Sequence, residues 1–163
     1  MTMSAIATDH IEELLFLVIG FTRSRRRVLM DNLLRMDMEG FVPQDLAVEE
    51  FSEQLHVAIT EHMTHHRLIF QDHPHVRFDE EGRLELLCKK DPLARELLDS
   101  DTKAYQRYQM RRLLENALNE DIALNMLRAY TGRVVREDTP TLDPSRPYWP
   151  LRRIDLIDDR INP

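Results

Sequence analysis

Glycine is scarce in this chain, 4 of 163 residues, and there is one cysteine and one tryptophan. So little glycine, beside abundant Leu, Arg and Glu and 8 Met, points to helix, because those side chains lose little rotamer freedom there. It also leaves no Gly-rich phosphate loop. The single Cys88 excludes an internal disulfide and has no zinc-knuckle partners. Within the apolar run Leu84-Leu86-Leu87-Cys88 it reads as a half-buried structural thiol. The longest apolar run, Leu14 to Ile19, is far short of the roughly 20 residues a membrane span takes. Asp9, Glu12 and Glu13 precede it, so it does not read as a cleaved secretory signal. A basic excess is missing too: the net charge is −7 and the pI about 5.5, which argues against nucleic acid as a partner. The cluster Arg23, Arg25, Arg26, Arg27 reads as a solvated helix face or an intersubunit contact.

What the chain does have is helical periodicity. Thr8 or Asp9 is a good N-cap, and Ile11, Leu14, Leu15, Val18, Phe21, Val28, Leu29 and Leu33 follow at helical spacing. This predicts a helix over 9–37, stopped by Gly40 and roughly 40 Å long. Phe41 to Leu46 is expected to be extended around Pro43. A second helix is expected over 47–71, ended by His73-Pro74-His75. Alternation in Val76-Arg77-Phe78 and Arg83-Leu84-Glu85-Leu86, around a Gly82 loop, predicts a β-hairpin near 76–87. Asp91-Pro92 opens a further helical stretch, and a long helix is expected from Asp101 to about Asp138. Its stripe of Leu113, Ala117, Leu124, Leu127, Thr131 and Val134, with Leu114, Leu118 and Ile122 beside it, asks for a partner helix, and the first helix is the candidate. The fold class is therefore mainly α: long N- and C-terminal helices packed together in a coiled-coil-like way, with a small hairpin between. One domain covers 1–138, and 139–163 is an extended Pro-rich tail.

No catalytic motif competes with this pattern. The one metal-like constellation is Glu61-His62-Met63-Thr64-His65-His66, where His62 and His66 lie four apart on one helix face. The zincin pattern needs Glu immediately after the first His, and Met63 stands there, so the chance clustering of His at a polar helix end is the plainer reading. No cofactor is expected, and no enzyme.

The stretch Arg27 to Leu46 resembles the N-terminal region of the flagellar basal-body rod proteins, the proximal-rod B type in particular. In that family a helix ends in an Asn-Asn-apolar-Ala-Asn box, followed by a Thr-Pro-Gly-aromatic turn. Asn32, Leu33, Gly40 and Phe41 fit in register; Asp31 and Arg35 replace Asn, and Met38-Glu39 replaces Thr-Pro. Glu115-Asn116-Ala117-Leu118, Ala123-Leu124 and Met126-Leu127 are similar to the family's terminal helix. Together the two regions span about half the chain. The resemblance implies a non-enzymatic structural subunit of the periplasmic rod, without cofactor, without membrane insertion and exported by the flagellar type III apparatus without a cleaved signal. Its partners would be other rod and basal-body subunits and the export apparatus, with self-association possible. Assembly contacts would come from Leu15, Val18, Leu29 and Leu33 on one helix and Leu113, Ala117, Leu124 and Leu127 on the other. Two other readings stay open: a helical adaptor derived from a rod subunit, and a metal-binding helical protein built on His62 and His66.

Overall fold

The computed structural model describes the backbone over residues 3–79, 83–137 and 156–157, and side chains over 10–79 and 83–132. Among these residues the chain is mainly helical with a small antiparallel sheet. The order is α1 (Met3–Leu34), β1 (Gln44–Leu46), α2 (Val48–His65), β2 (Val76–Phe78), β3 (Leu84–Lys90), α3 (Pro92–Ser100), α4 (Thr102–Glu137) and β4 (Leu156–Ile157). The tail over 139–163 lies outside the described residues except for β4, which pairs in parallel with Leu86 and Leu87 of β3.

The first helix stops at Leu34, three residues short of the expected end. Tight turns replace the helical ladder there: Met38 donates to the carbonyl of Arg35 and Phe41 to that of Met38, and Gly40 takes the left-handed region at φ +74°. The extended segment that follows becomes β1 and pairs antiparallel with the far half of β3, Gln44 opposite Lys90 and Leu46 opposite Cys88. The near half of β3 pairs with β2, Val76 opposite Leu86 and Phe78 opposite Leu84. The hairpin thus runs beyond residue 87 on its second arm because a third strand, β1, supplies hydrogen-bond partners there. Leu84, Leu86 and Cys88 face the core on alternate positions of β3, so the cysteine is buried rather than half-buried.

The main core sits between this sheet, the middle of α1 and the start of α2. Phe21, Val28, Leu46, Phe51, Val76 and Leu86 meet there, with the Phe21 and Phe51 rings stacked at 4.0 Å. The second helix was expected to reach residue 71 but ends at His65, where His66 adopts φ 54° and ψ 37°. The chain then doubles back along α2, tied by its side chains. Buried Gln54 accepts from the Gln71 amide at 2.8 Å, and Glu50 accepts from both the amide and the ring of His75 at 2.8 Å. Tertiary hydrogen bonds that a helix over 66–71 would forfeit decide this boundary.

Asp91 caps α3 by accepting from the Ala94 amide, with Pro92 in the first turn where it has no amide to lose. Asp101, extended at φ −150°, separates α3 from α4 and caps the latter through the Ala104 amide. The fourth helix then runs antiparallel along α1: Asn32 meets Gln109, Thr22 meets Asn116, and Ile19 meets Ala123.

Leu86 is completely buried at the centre of the sheet. Replacing it with Ala should lower unfolding free energy by about 2–5 kcal/mol, read from a urea midpoint at unchanged slope.

Candidate functional site

The seam between α1 and α4 is where buried polar residues of the two long helices meet, and it is mostly polar. Asn32, 2% exposed, sits near the end of α1 and grips β1 from both sides. Its Nδ2 donates to the Gln44 carbonyl at 2.7 Å and its Oδ1 accepts from the Gln44 amide at 3.1 Å. The second Nδ2 hydrogen reaches Gln109 Oε1 at 3.2 Å. Both Nδ2 hydrogens and one Oδ1 lone pair are thereby used, and one side chain locks helix, strand and partner helix together. The Tyr105 hydroxyl adds a bond to the Asn32 carbonyl at 2.8 Å. An Asn within a helix is more often a surface or cap residue, and this burial sets Asn32 apart from both.

A second polar knot lies two turns earlier on α1. Arg25 forks onto Asp45 of β1, Nε at 2.9 Å and Nη2 at 2.8 Å. Arg112 of α4 closes on Asp91 and approaches Asp45 at 3.4 Å, and its guanidinium lies over the Tyr108 ring at 4.5 Å. The Tyr108 hydroxyl also donates to Asp91 at 3.3 Å. Further along, Asn116 donates to the Thr22 carbonyl at 2.6 Å, and Glu120 accepts from Arg23 and Arg26, each at 2.9 Å. The arginine cluster is therefore not merely a solvated face: Arg25 is buried, and Arg23 and Arg26 reach across to α4. Only toward the start of α1 does the seam turn apolar, where Leu15 and Ile19 meet Ala123, Leu124 and Leu127.

Of the residues expected at assembly contacts, Leu15 and Leu29 are buried, and Val18 and Leu33 are half-buried. Phe41 is buried beneath the Arg35 guanidinium at 5.5 Å, and Arg35 also pairs with Asp31 at 3.1 Å. Gly40 makes the turn that delivers Phe41 there. On α4, Leu124 and Leu127 reach the apolar end of the seam, Leu113 is half-buried, and Ala117 faces outward. The expected stripe thus packs only in part, through Leu124 and Leu127, while Ala117 does not, and Val134 lies outside the described side chains. The buried face is Tyr105, Gln109, Asn116, Glu120 and Ala123, residues four, seven, four and three apart along one side of the helix. An apolar count passes over three of those five, Gln109, Asn116 and Glu120. On the opposite side Met110, Leu114, Leu118, Ile122 and Met126 form a ridge at every fourth position, each more than half exposed. Such a ridge advances about 40° per step around a helix. It belongs to the kind that interlocks with a second ridge of the same spacing at a crossing angle near −50°.

His62 and His66 lie on the far end of α2, with rings 6.2 Å apart. Among the described residues no group of three or more His, Cys, Asp or Glu is placed to hold a metal ion, and no helix is long and apolar enough to cross a membrane. No protein-family model, curated protein or solved structure matches this chain.

Tyr105 is pushed up to about 12, by burial first and by the Asp91 charge second, while Gln109 pulls the other way. The folded state therefore favours the neutral phenol. That contribution is complete below the ordinary value of 10.0 and disappears as pH climbs toward 12. The Tyr105→Phe variant should be less stable at pH 7, for want of the bond to Asn32, yet lose stability less steeply between pH 10 and 12, as followed by denaturant unfolding across that range. Asp45→Asn strands buried Arg25 and should cost about 3–5 kcal/mol. The double replacement Arg25→Met with Asp45→Leu should recover most of that loss in the same assay.

Proposed function

We propose that this chain is a structural subunit of the bacterial flagellar proximal rod, working by assembly through its long helices and not by catalysis. The observation that carries the reading is the Asn32 clamp. The asparagine that aligns with the rod family's Asn box ties the end of α1 to the following extended segment and to α4. That is the job a box residue would do in a subunit whose terminal helices must stay paired. Where the chain departs from the family's turn, Asp31, Arg35 and Phe41 supply a fastening of their own.

The exposed ridge on α4 supports the same reading. Burying half-exposed Leu and Ile side chains is worth on the order of 1 kcal/mol each, and neighbouring subunits offer the means. Repeated non-closing contacts of one surface with another generate a rod. The coiled-coil-like inner layer belongs to this proposal: α1 and α4 would form one paired unit, with the ridge turned toward the next copy.

Deleting the gene in the organism that encodes it should abolish swimming and leave basal bodies without a proximal rod in electron micrographs of isolated hook–basal bodies. A deletion strain that swims normally refutes the rod assignment. Complementation with Leu118→Glu separates folding from assembly. The purified variant should keep its circular dichroism and melting temperature within about 2 °C, because surface changes usually cost under about 0.5 kcal/mol. It should nevertheless fail to restore motility.

A further inference from the structure

His10, from the start of α1, and His62, from the end of α2, bring their Nδ1 atoms to 3.2 Å of one another, with ring planes at 78° and centroids 5.2 Å apart. We propose that these two imidazoles form a binding site for a divalent transition-metal ion, Zn²⁺ by preference, that fastens the far half of α2 to α1. Two nitrogens each at about 2.0–2.1 Å from one tetrahedral Zn²⁺ stand roughly 3.3–3.4 Å apart. The spacing found between the two Nδ1 atoms is within about 0.2 Å of that, so the ion can enter by a tilt of the rings that turns both lone pairs to one point, without the nitrogens moving apart.

Without metal, the contact requires one Nδ1 to donate and the other to accept. On binding, the donor imidazole moves its proton to Nε2, which leaves both Nδ1 lone pairs for the ion and both rings neutral. Water takes the two remaining positions, in keeping with the absence of a third His, Cys, Asp or Glu already placed around the same point among the described residues. An all-nitrogen protein donor set suits Zn²⁺ or Cu²⁺ and disfavours Ca²⁺ and Mg²⁺, which take oxygen. Neighbouring His65 is differently engaged: its Nδ1 lies 3.1 Å from Glu61, which Arg67 also holds at 3.0 Å. It serves as the internal control.

The location has a mechanical use. After Ala58 no residue of α2 is buried, and Ile59 and Met63 are exposed, so apolar packing anchors the last two turns less firmly than the part that carries Phe51 and Ala58. A ligand that binds only the folded arrangement stabilises it by mass action.

The test is isothermal titration of the full purified chain with ZnCl₂, paired with thermal melts in Zn²⁺ and in Ca²⁺. One equivalent of Zn²⁺ should bind and raise the melting temperature, and Ca²⁺ should do neither. His10→Ala and His62→Ala should each weaken binding by at least about tenfold, whereas His65→Ala should leave it unchanged. His10→Gln guards against misfolding, since its amide can still meet His62 while the second imidazole is gone; it should fold, by circular dichroism, and still lose the ion. Absence of Zn²⁺ binding overturns the proposal, as does binding that survives both His10 replacements or an equal response to Ca²⁺. The rod assignment is untouched by either result, because it is scored by motility.

Discussion

Four side chains, Arg25, Asp45, Arg112 and Asp91, bind four elements of this protein at one place. Asp45 belongs to β1 and Asp91 caps α3, while the guanidiniums come from α1 and α4. Taking such charges out of water is expensive, and the cost is offset only when each carboxylate oxygen and each guanidinium edge finds a partner. Here all four carboxylate oxygens are engaged: beyond the guanidiniums, Asp45 receives the Leu46 amide at 2.8 Å, and Asp91 receives Ala94 and Tyr108. Because the fork of Arg25 accepts one geometry, the strand, both long helices and the short helix have little freedom to slide.

That constraint explains the character of the α1–α4 seam. Apolar side chains alone would tolerate several registers of two long helices. Asn32 on Gln109, Asn116 on the Thr22 carbonyl and Glu120 between Arg23 and Arg26 each satisfy their partners in one register only. A polar seam also frees the apolar side chains of α4. Met110, Leu114, Leu118, Ile122 and Met126 are left facing outward, where they are available to another chain. The same helix thus has two unlike faces, one that fixes register and one that leaves apolar side chains exposed. This division is what the assembly proposal draws on.

Near the other end of the molecule the balance differs. The α1 start and the α2 end meet through the imidazoles of His10 and His62, and the exposed Ile59 and Met63 show how little apolar burial the outer part of α2 brings. Glu50 belongs with the inner, better-held half. Burial raises its pKa, but its bonds to His75 outweigh that and hold it below the usual value, so the tie persists at neutral pH and weakens as pH falls through the acid range.

The helices and the hairpin were legible in the sequence because apolar spacing and turn residues are local signals. Leu14, Leu15, Phe21, Val28 and Leu29 announce α1, Asp91-Pro92 announces α3, and alternation through Leu84 and Leu86 announces β3. The seam was not legible. Gln109, Asn116 and Glu120 carry no apolar signal, and whether a polar side chain is buried depends on a partner far along the chain: Gln109 needs Asn32, and Glu120 needs Arg23. The end of α2 failed for the same reason, since Gln54 and Glu50 hold the returning segment through bonds that no local pattern encodes. Local periodicity by itself determined that the chain would build long helices around a small sheet. Which face of α4 turns inward, and so which apolar ridge is left for a partner, was decided only by tertiary hydrogen bonds and ion pairs. Their strength depends on being shut away from water together.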